Sequence, residues 1–241
     1  MIIDGKKIAE EIIADLGDSL KGNKLGIVVG VQDAATDSFV KIKTRVAERL
    51  GVEVVKGELA DLIKTCDGVI VQLPHPKAEE LIAAIPPEKD LDAIGKGPLV
   101  RTPVAEAISE VLVRAGVAAA GKKAVVVGKG RLVGIPAAEL LKSLGADVVV
   151  VTQTQGSLDE LRDADIVVLG AGEPGLVGPD MIKEGAVLID AGTSEAGGKL
   201  MGDAQPGCAQ VASVFTPVPG GIGPIAVAMI FKNLFELARR R

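Results

Sequence analysis

Along this chain the apolar residues switch repeatedly between two spacings. Short β-branched runs bounded by Gly or Pro alternate with stretches in which apolar residues recur every three or four positions. The first half reads KLGIVVG (24–30), DSFVKIKTRVAERLG (37–51), VEVVKG (52–57) and CDGVIVQLP (66–74). Runs that are apolar at successive positions predict strands buried on both faces, hence a parallel sheet, and 37–51 predicts a helix between two of them. In that helix Phe39, Ile42, Val46 and Leu50 follow i, i+3, i+7 and i+11 and form the expected core stripe. Lys41, Arg45 and Glu48 fall outside it, and Lys43 sits on its flank.

The pattern restarts near residue 121. GKKAVVVG (121–128) is followed by a helix around 135–144, ADVVVVT (146–152), a short helix at 157–162, ADIVVLGAG (164–172) and GAVLIDAG (185–192). Four strands in succession with short helical crossovers predict a doubly wound, Rossmann-like sheet. The expected class is therefore α/β with two lobes: residues 1–115, joined by a returning C-terminal helix at 224–241, and a dinucleotide-binding lobe at 116–223. RTPVAEAISEVLVRAG (101–116) reads as the helix that carries the chain from one to the other.

Composition narrows the partners. A formal charge of −5 and four phenylalanines with no Tyr or Trp leave neither a phosphate-tracking surface nor a stacking platform, so nucleic acid is not expected. The basic trio Arg239, Arg240 and Arg241 reads as a solvated helix end. The longest apolar runs, such as AVVVG (124–128) and IAVAMIF (225–231), are far short of the ~20 residues of a membrane helix. MIIDGKKIAEEIIADL mixes lysines and acids into its first turns and lacks the features of a signal peptide, which predicts a cytoplasmic protein. Cys66 and Cys208 have no metal-ligand spacing, and with a single histidine no metal is expected.

Five stretches carry candidate chemistry. VVVGKGRLVGIP (125–136) follows a strand and opens a helix, with Gly128, Gly130 and Gly134 where backbone N–H groups could receive a diphosphate. The next strand ends in Thr152 and Gln153 without the acid that usually holds an NAD ribose, while Lys129 lies in the turn, so the residues lean toward NADP over NAD. Arg131 is the alternative phosphate contact. GVIVQLPHP (68–76) places Gln72 at the end of a buried strand, where an amide must find partners or face a ligand. His75, between two prolines, reads as a loop residue. PPEKDLDAIG (86–95) holds Asp90 and Asp92 two apart in a turn. FTPVPGGIGP (215–224), three prolines and three glycines in ten residues, specifies one stiff shape before a helix that Pro224 can begin.

QLPHP, EKDLDAIG, GKGRLVGIP and FTPVPGGIGP occur in the order of the signatures of the bifunctional methylenetetrahydrofolate dehydrogenase/cyclohydrolases, the FolD family, and the chain resembles that family from IIDGKKIA to its C-terminal helix. The resemblance implies a folate-binding catalytic lobe, a nicotinamide cofactor held by the second lobe, and a homodimer joined through that second lobe. It implies that Lys43, in FVKIK, is the catalytic lysine; that Phe39 stands where the family has tyrosine; and that Gln72 and Asp92 complete the catalytic set. Ala93 replaces the family's glycine. Pro219, Gly220 and Gly221 would line the folate site. Gly128, Lys129, Gly130, Arg131, Gly134, Gln153 and Thr193 would contact the cofactor. The implied reaction is NADP-dependent oxidation of 5,10-methylenetetrahydrofolate and hydrolysis of the methenyl product to 10-formyltetrahydrofolate. Phe39 leaves open a dehydrogenase with little hydrolytic activity, and a folate- or dinucleotide-binding module without turnover is the reading from another class.

Overall fold

The computed structural model describes residues 1–31, 33–196 and 199–240. Two units emerge, each discontinuous in sequence: Ala9–Pro103 with the chain from Val227 onward, and Met1–Ile8 with Val104–Ala226.

In the first of these, most of helix α1 (Gly5–Leu16) precedes strand β1 (Lys24–Val29), helix α2 (Ala34–Arg49), β2 (Glu53–Lys56), α3 (Leu59–Thr65), β3 (Gly68–Gln72) and α4 (Ala78–Ala84). The three strands form a parallel sheet in the order β2-β1-β3, with Val29 opposite Gln72 at the end of the register. Helix α2 starts three residues earlier than its periodicity predicts. Asp33 caps it, its carboxylate accepting the Thr36 N–H at 2.7 Å. Its buried stripe is also rotated from the expected one. Phe39 and Ile42 are 39% and 41% exposed, whereas Thr36, Val40, Ala47 and Leu50 are buried. The stripe thus steps by four, three, four and three through position 43, and places Lys43 in the middle of the inward face rather than on its flank.

The other unit contains α5 (Pro103–Arg114), β4 (Lys123–Val127), α6 (Gly134–Ser143), β5 (Asp147–Val151), β6 (Ile166–Leu169), β7 (Val187–Asp190), the hairpin β8 (Ser194–Ala196) and β9 (Lys199–Met201), the short α7 (Cys208–Val211) and β10 (Val214–Thr216). The helix expected at 157–162 is a 3₁₀ turn, Leu158–Asp163. Five strands rather than four pair in parallel, in the order β10-β7-β6-β4-β5. The extra one, β10, is the start of the FTPVPGGIGP stretch and is only three residues long, too short for its period to register. The sheet core comprises Val125, Val127, Val167, Leu169, Leu188 and their neighbours.

The last helix, α8 (Ile222–Ala238), has Pro224 in its first turn, where no N–H is needed. Its buried Asn233 donates to the carbonyls of Leu91 and Arg101, both at 2.9 Å. Arg239 lies over the Phe235 ring, 5.1 Å from its centre. Arg241 is outside the described residues. Among the described residues no helix is long and apolar enough to cross a membrane.

Candidate active site and cofactor cradle

Three elements converge at the carboxyl end of β3. The sheet delivers Gln72, buried at 7% exposure. Segment 89–92 runs parallel beside β3, with Val69 paired to Asp90, so Asp92, two residues on, is carried toward the same end. Helix α2 supplies Lys43. The Lys43 ammonium donates to Gln72 Oε1 at 2.7 Å, and the Gln72 amide N–H₂ donates to the Leu73 carbonyl at 2.8 Å, so both ends of the buried amide are satisfied and its orientation is fixed.

Burial pushes the Lys43 ammonium below the usual lysine range, and the nearby Asp92 carboxylate draws it part of the way back. Burial likewise raises Asp92, to about 6, with Lys43 opposing the shift and Asp90 adding to it. The two acids of the motif have separate work. Asp90 is buried and accepts the N–H groups of Ala93 and Gly95 at 3.0 and 2.7 Å, so it builds the turn. The Asp92 side chain receives no hydrogen bond among the described residues and remains able to accept them. Ala93 adopts φ +54° as a non-glycine residue, a conformation L side chains visit at a cost of ~1 kcal/mol or more, in the turn that presents Asp92. His75 is a loop residue whose Nδ1 accepts the Lys77 N–H at 3.0 Å. Phe39 lies one helical turn before Lys43, with part of its ring open to solvent.

The glycine-rich turn belongs to the other unit. Gly128 closes β4 with φ +103° and donates its N–H to Val151 at 2.8 Å. A Cβ on Gly128 would lie 2.4 Å from the Gly170 carbonyl oxygen, and one on Gly134 would lie 2.2 Å from that of Gly128. These two glycines are required by the fold. Gly130 has open space where a Cβ would stand, which is what a turn approached by a ligand presents. Beside it is a cavity of about 410 Å³ lined by Val127, Gly128, Lys129, Thr152, Gln153 and Glu173, among others. It sits at the carboxyl ends of β4, β5 and β6, where parallel sheets bind nucleotides. A glycine cradle, a cation and no acid directly after β5 fit a phosphorylated dinucleotide.

Gly130, Arg131, Gly134 and Thr193 do not line that cavity. Thr154, Leu158, Ala171, Glu173 and Leu176 do, although sequence reasoning passed over them. GAGEPG (170–175), a second glycine-punctuated strand end, was the signal for part of that wall. Pro219, Gly220 and Gly221 belong to the same unit as the cradle. There the Gly5 N–H donates to the Gly220 carbonyl at 2.8 Å and Gly221 donates to Pro217 at 2.7 Å, so the loop is pinned by the first turn of α1.

Comparisons with known proteins agree with this geometry. Residues 102–241 match the family described as tetrahydrofolate dehydrogenase/cyclohydrolase, NAD(P)-binding domain. The bifunctional protein FolD of Halothermothrix orenii is 39% identical, with 96% of this chain and 95% of that protein covered. Among solved structures, the bifunctional enzyme FolD of Campylobacter jejuni superposes with a TM-score of 0.93 at 26% identity, covering 100% of this chain and 99% of that one. The Trypanosoma brucei N5,N10-methylenetetrahydrofolate dehydrogenase-cyclohydrolase, solved with NADP and an inhibitor, superposes with a TM-score of 0.88 at 30% identity, covering 100% and 97%. Site and similarity agree, and the chain belongs to the tetrahydrofolate dehydrogenase/cyclohydrolase family.

Proposed function

We propose that this protein oxidises 5,10-methylenetetrahydrofolate to the 5,10-methenyl form with NADP and hydrolyses that product to 10-formyltetrahydrofolate, with Lys43, Gln72 and Asp92 as the catalytic set. The observation that carries the reading is the partly buried Lys43 ammonium, 2.7 Å from a buried amide and beside a carboxylate raised to about 6. NADP, when bound, accepts a hydride from the methylene carbon. No proton moves in that step, so the protein's task there is orientation and exclusion of water.

Hydrolysis makes a different demand. Water adds to the methenyl carbon and loses one proton; the bond from that carbon to N5 then breaks as N5 takes up a proton and the remaining hydroxyl proton leaves to form the formyl C=O, with one proton released overall. Lys43 is suited to both transfers because burial has brought its amine closer to neutrality, and Gln72 holds the Nζ in one direction. Asp92 accepts hydrogen bonds from the amino and N–H groups of the pterin. Phe39, with Pro219, Gly220 and Gly221, completes the folate contacts in this reading. An absorbance assay that follows methenyl formation and then its decay tests the whole: absence of either phase removes the corresponding activity.

For the cofactor we assign Gly128, Lys129, Gly130, Arg131, Gly134, Gln153 and Thr193 to binding, with Lys129 on the 2′-phosphate. A charge-assisted contact of this kind contributes ~1.5–3 kcal/mol. Lys129→Ala should therefore lower the NADP-over-NAD ratio of kcat/KM by roughly ten- to a hundredfold. An NAD preference in the unaltered enzyme sinks the assignment, and an unchanged ratio in the variant moves the contact to Arg131.

The same reading makes the protein a cytoplasmic homodimer joined through the unit that contains β4 to β10. Leu200 and Met201 on β9 supply exposed apolar surface there. Light scattering at micromolar concentration should give twice the 24.6 kDa chain mass; the monomer mass would dispose of it.

A further inference from the structure

Asp203 is fully buried and accepts three backbone N–H groups, from Ala171 at 2.7 Å, Gly172 at 3.1 Å and Glu173 at 2.8 Å. Ala171 and Glu173 line the cavity beside the glycine turn. Three consecutive amides converging on one carboxylate leave their peptide planes little freedom to rotate, and burial strengthens each bond. We propose that Asp203 is a positioning residue for the dinucleotide, its carboxylate setting the wall 171–173 against which the cofactor packs; this rests on the cofactor reading given above.

A second buried carboxylate extends the array. Asp190, at the end of β7, accepts the N–H groups of Gly192 at 2.9 Å, Asp203 at 3.3 Å and Ala204 at 2.8 Å. Its own N–H donates to Thr216 Oγ1 at 2.7 Å. The backbone that bears Asp203 is thus anchored to the sheet, and the sheet's position is passed to the cavity wall through two acids in series. Glycines make room for both: a Cβ on Gly192 would lie 2.2 Å from Asp203 Cγ, and one on Gly202 would lie 2.1 Å from Asp190 Oδ2. No contact to substrate is required of Asp203, which distinguishes it from Lys43, Gln72 and Asp92.

Asp203→Asn tests this, because an amide keeps the shape but has one acceptor oxygen, and its N–H₂ must confront at least one of the three donors. The expected result is a KM for NADP raised ~10-fold or more, with kcat at saturating NADP within ~3-fold and the KM for the folate substrate unchanged. An unchanged KM for NADP overturns the inference, as does a parallel loss in kcat and both KM values in a folded variant. Should the variant fail to fold, hydrogen exchange on the unaltered protein decides: the amides of 171–173 should be protected and slowed further by NADP. Exchange as fast as in an open loop, or insensitive to NADP, overturns the inference. Absence of NADP binding by the unaltered protein in calorimetry defeats the cofactor reading itself and is distinguishable from both.

Discussion

Replacing Lys43 by Met should lower methenyl hydrolysis by ~10²–10⁴, the range lost with a general acid–base group, and lower hydride transfer far less. Met keeps the length and apolar stem that fit the inward stripe of α2 and deletes only the amine. Gln72 Oε1 then loses its donor, so the variant should be somewhat less stable, and its fold must be checked before rates are compared. Intact hydrolysis in Lys43→Met would show that the acid–base group lies elsewhere. Equal loss of both activities would make Lys43 a substrate-positioning charge. Phe39→Tyr returns a hydroxyl one turn from Lys43 and should raise hydrolysis if the phenylalanine has weakened it. The pH dependence has a definite sign. Asp92 holds the Lys43 ammonium above the value burial alone would give, so Asp92→Asn lowers it further and moves the acidic limb of the hydrolysis profile to lower pH.

Two glycines of the cofactor turn should both weaken NADP binding when given the same added methyl, but only one of them should cost stability. Gly134→Ala drives a Cβ to 2.2 Å from the Gly128 carbonyl oxygen and 2.9 Å from the Lys129 nitrogen, both backbone atoms that cannot rotate aside. The expected cost is at least ~1–3 kcal/mol of stability together with loss of NADP binding. Gly130→Ala meets no protein atom within 4 Å. Its stability should stay within ~0.5 kcal/mol of the unaltered protein, as for a surface change. Its KM for NADP should nevertheless rise ~10-fold or more, since the glycine is there to let a diphosphate approach the backbone. Thermal unfolding and NADP titration of both variants check this, and a Gly130→Ala enzyme with normal NADP affinity would move the diphosphate away from the turn.

Most strands of both sheets were legible because parallel strands covered on both faces read as short, nearly unbroken apolar runs; β10, three residues long, was not. What could not be read was which face of α2 is buried. Phe39 and Ile42 attract a stripe by their size, but the face that packs is marked by Thr36, Val40 and Ala47, small residues that allow close approach to the sheet. Only the packed helix shows that Lys43 occupies that face. Gln72 was identifiable as a polar residue ending a buried run, and Asp92 through the family pattern. The pairing of 89–92 alongside β3 leaves no trace in hydrophobic period. Glu173 and Asp203 were missed for a related reason: each acts through backbone geometry assembled from segments some thirty residues apart.

The threading of the chain sets a schedule for its synthesis. Each unit is built from two segments far apart in the sequence, and the first residues wait for much later ones: Ile2 pairs with Phe215, and Gly5 with Gly220. At ~5–20 residues per second, the N-terminal segment spends roughly 10–40 s outside the ribosome before its partner strand exists. For that interval the start of α1 lacks the loop that pins it, and once β7 is made its edge stays open for a further ~1–5 s until β10 follows. The unit that contains β4 to β10 therefore completes its fold only once Gly220 has been made, and a nascent chain stalled before Val214 should depend on chaperones more than one in which that unit is finished.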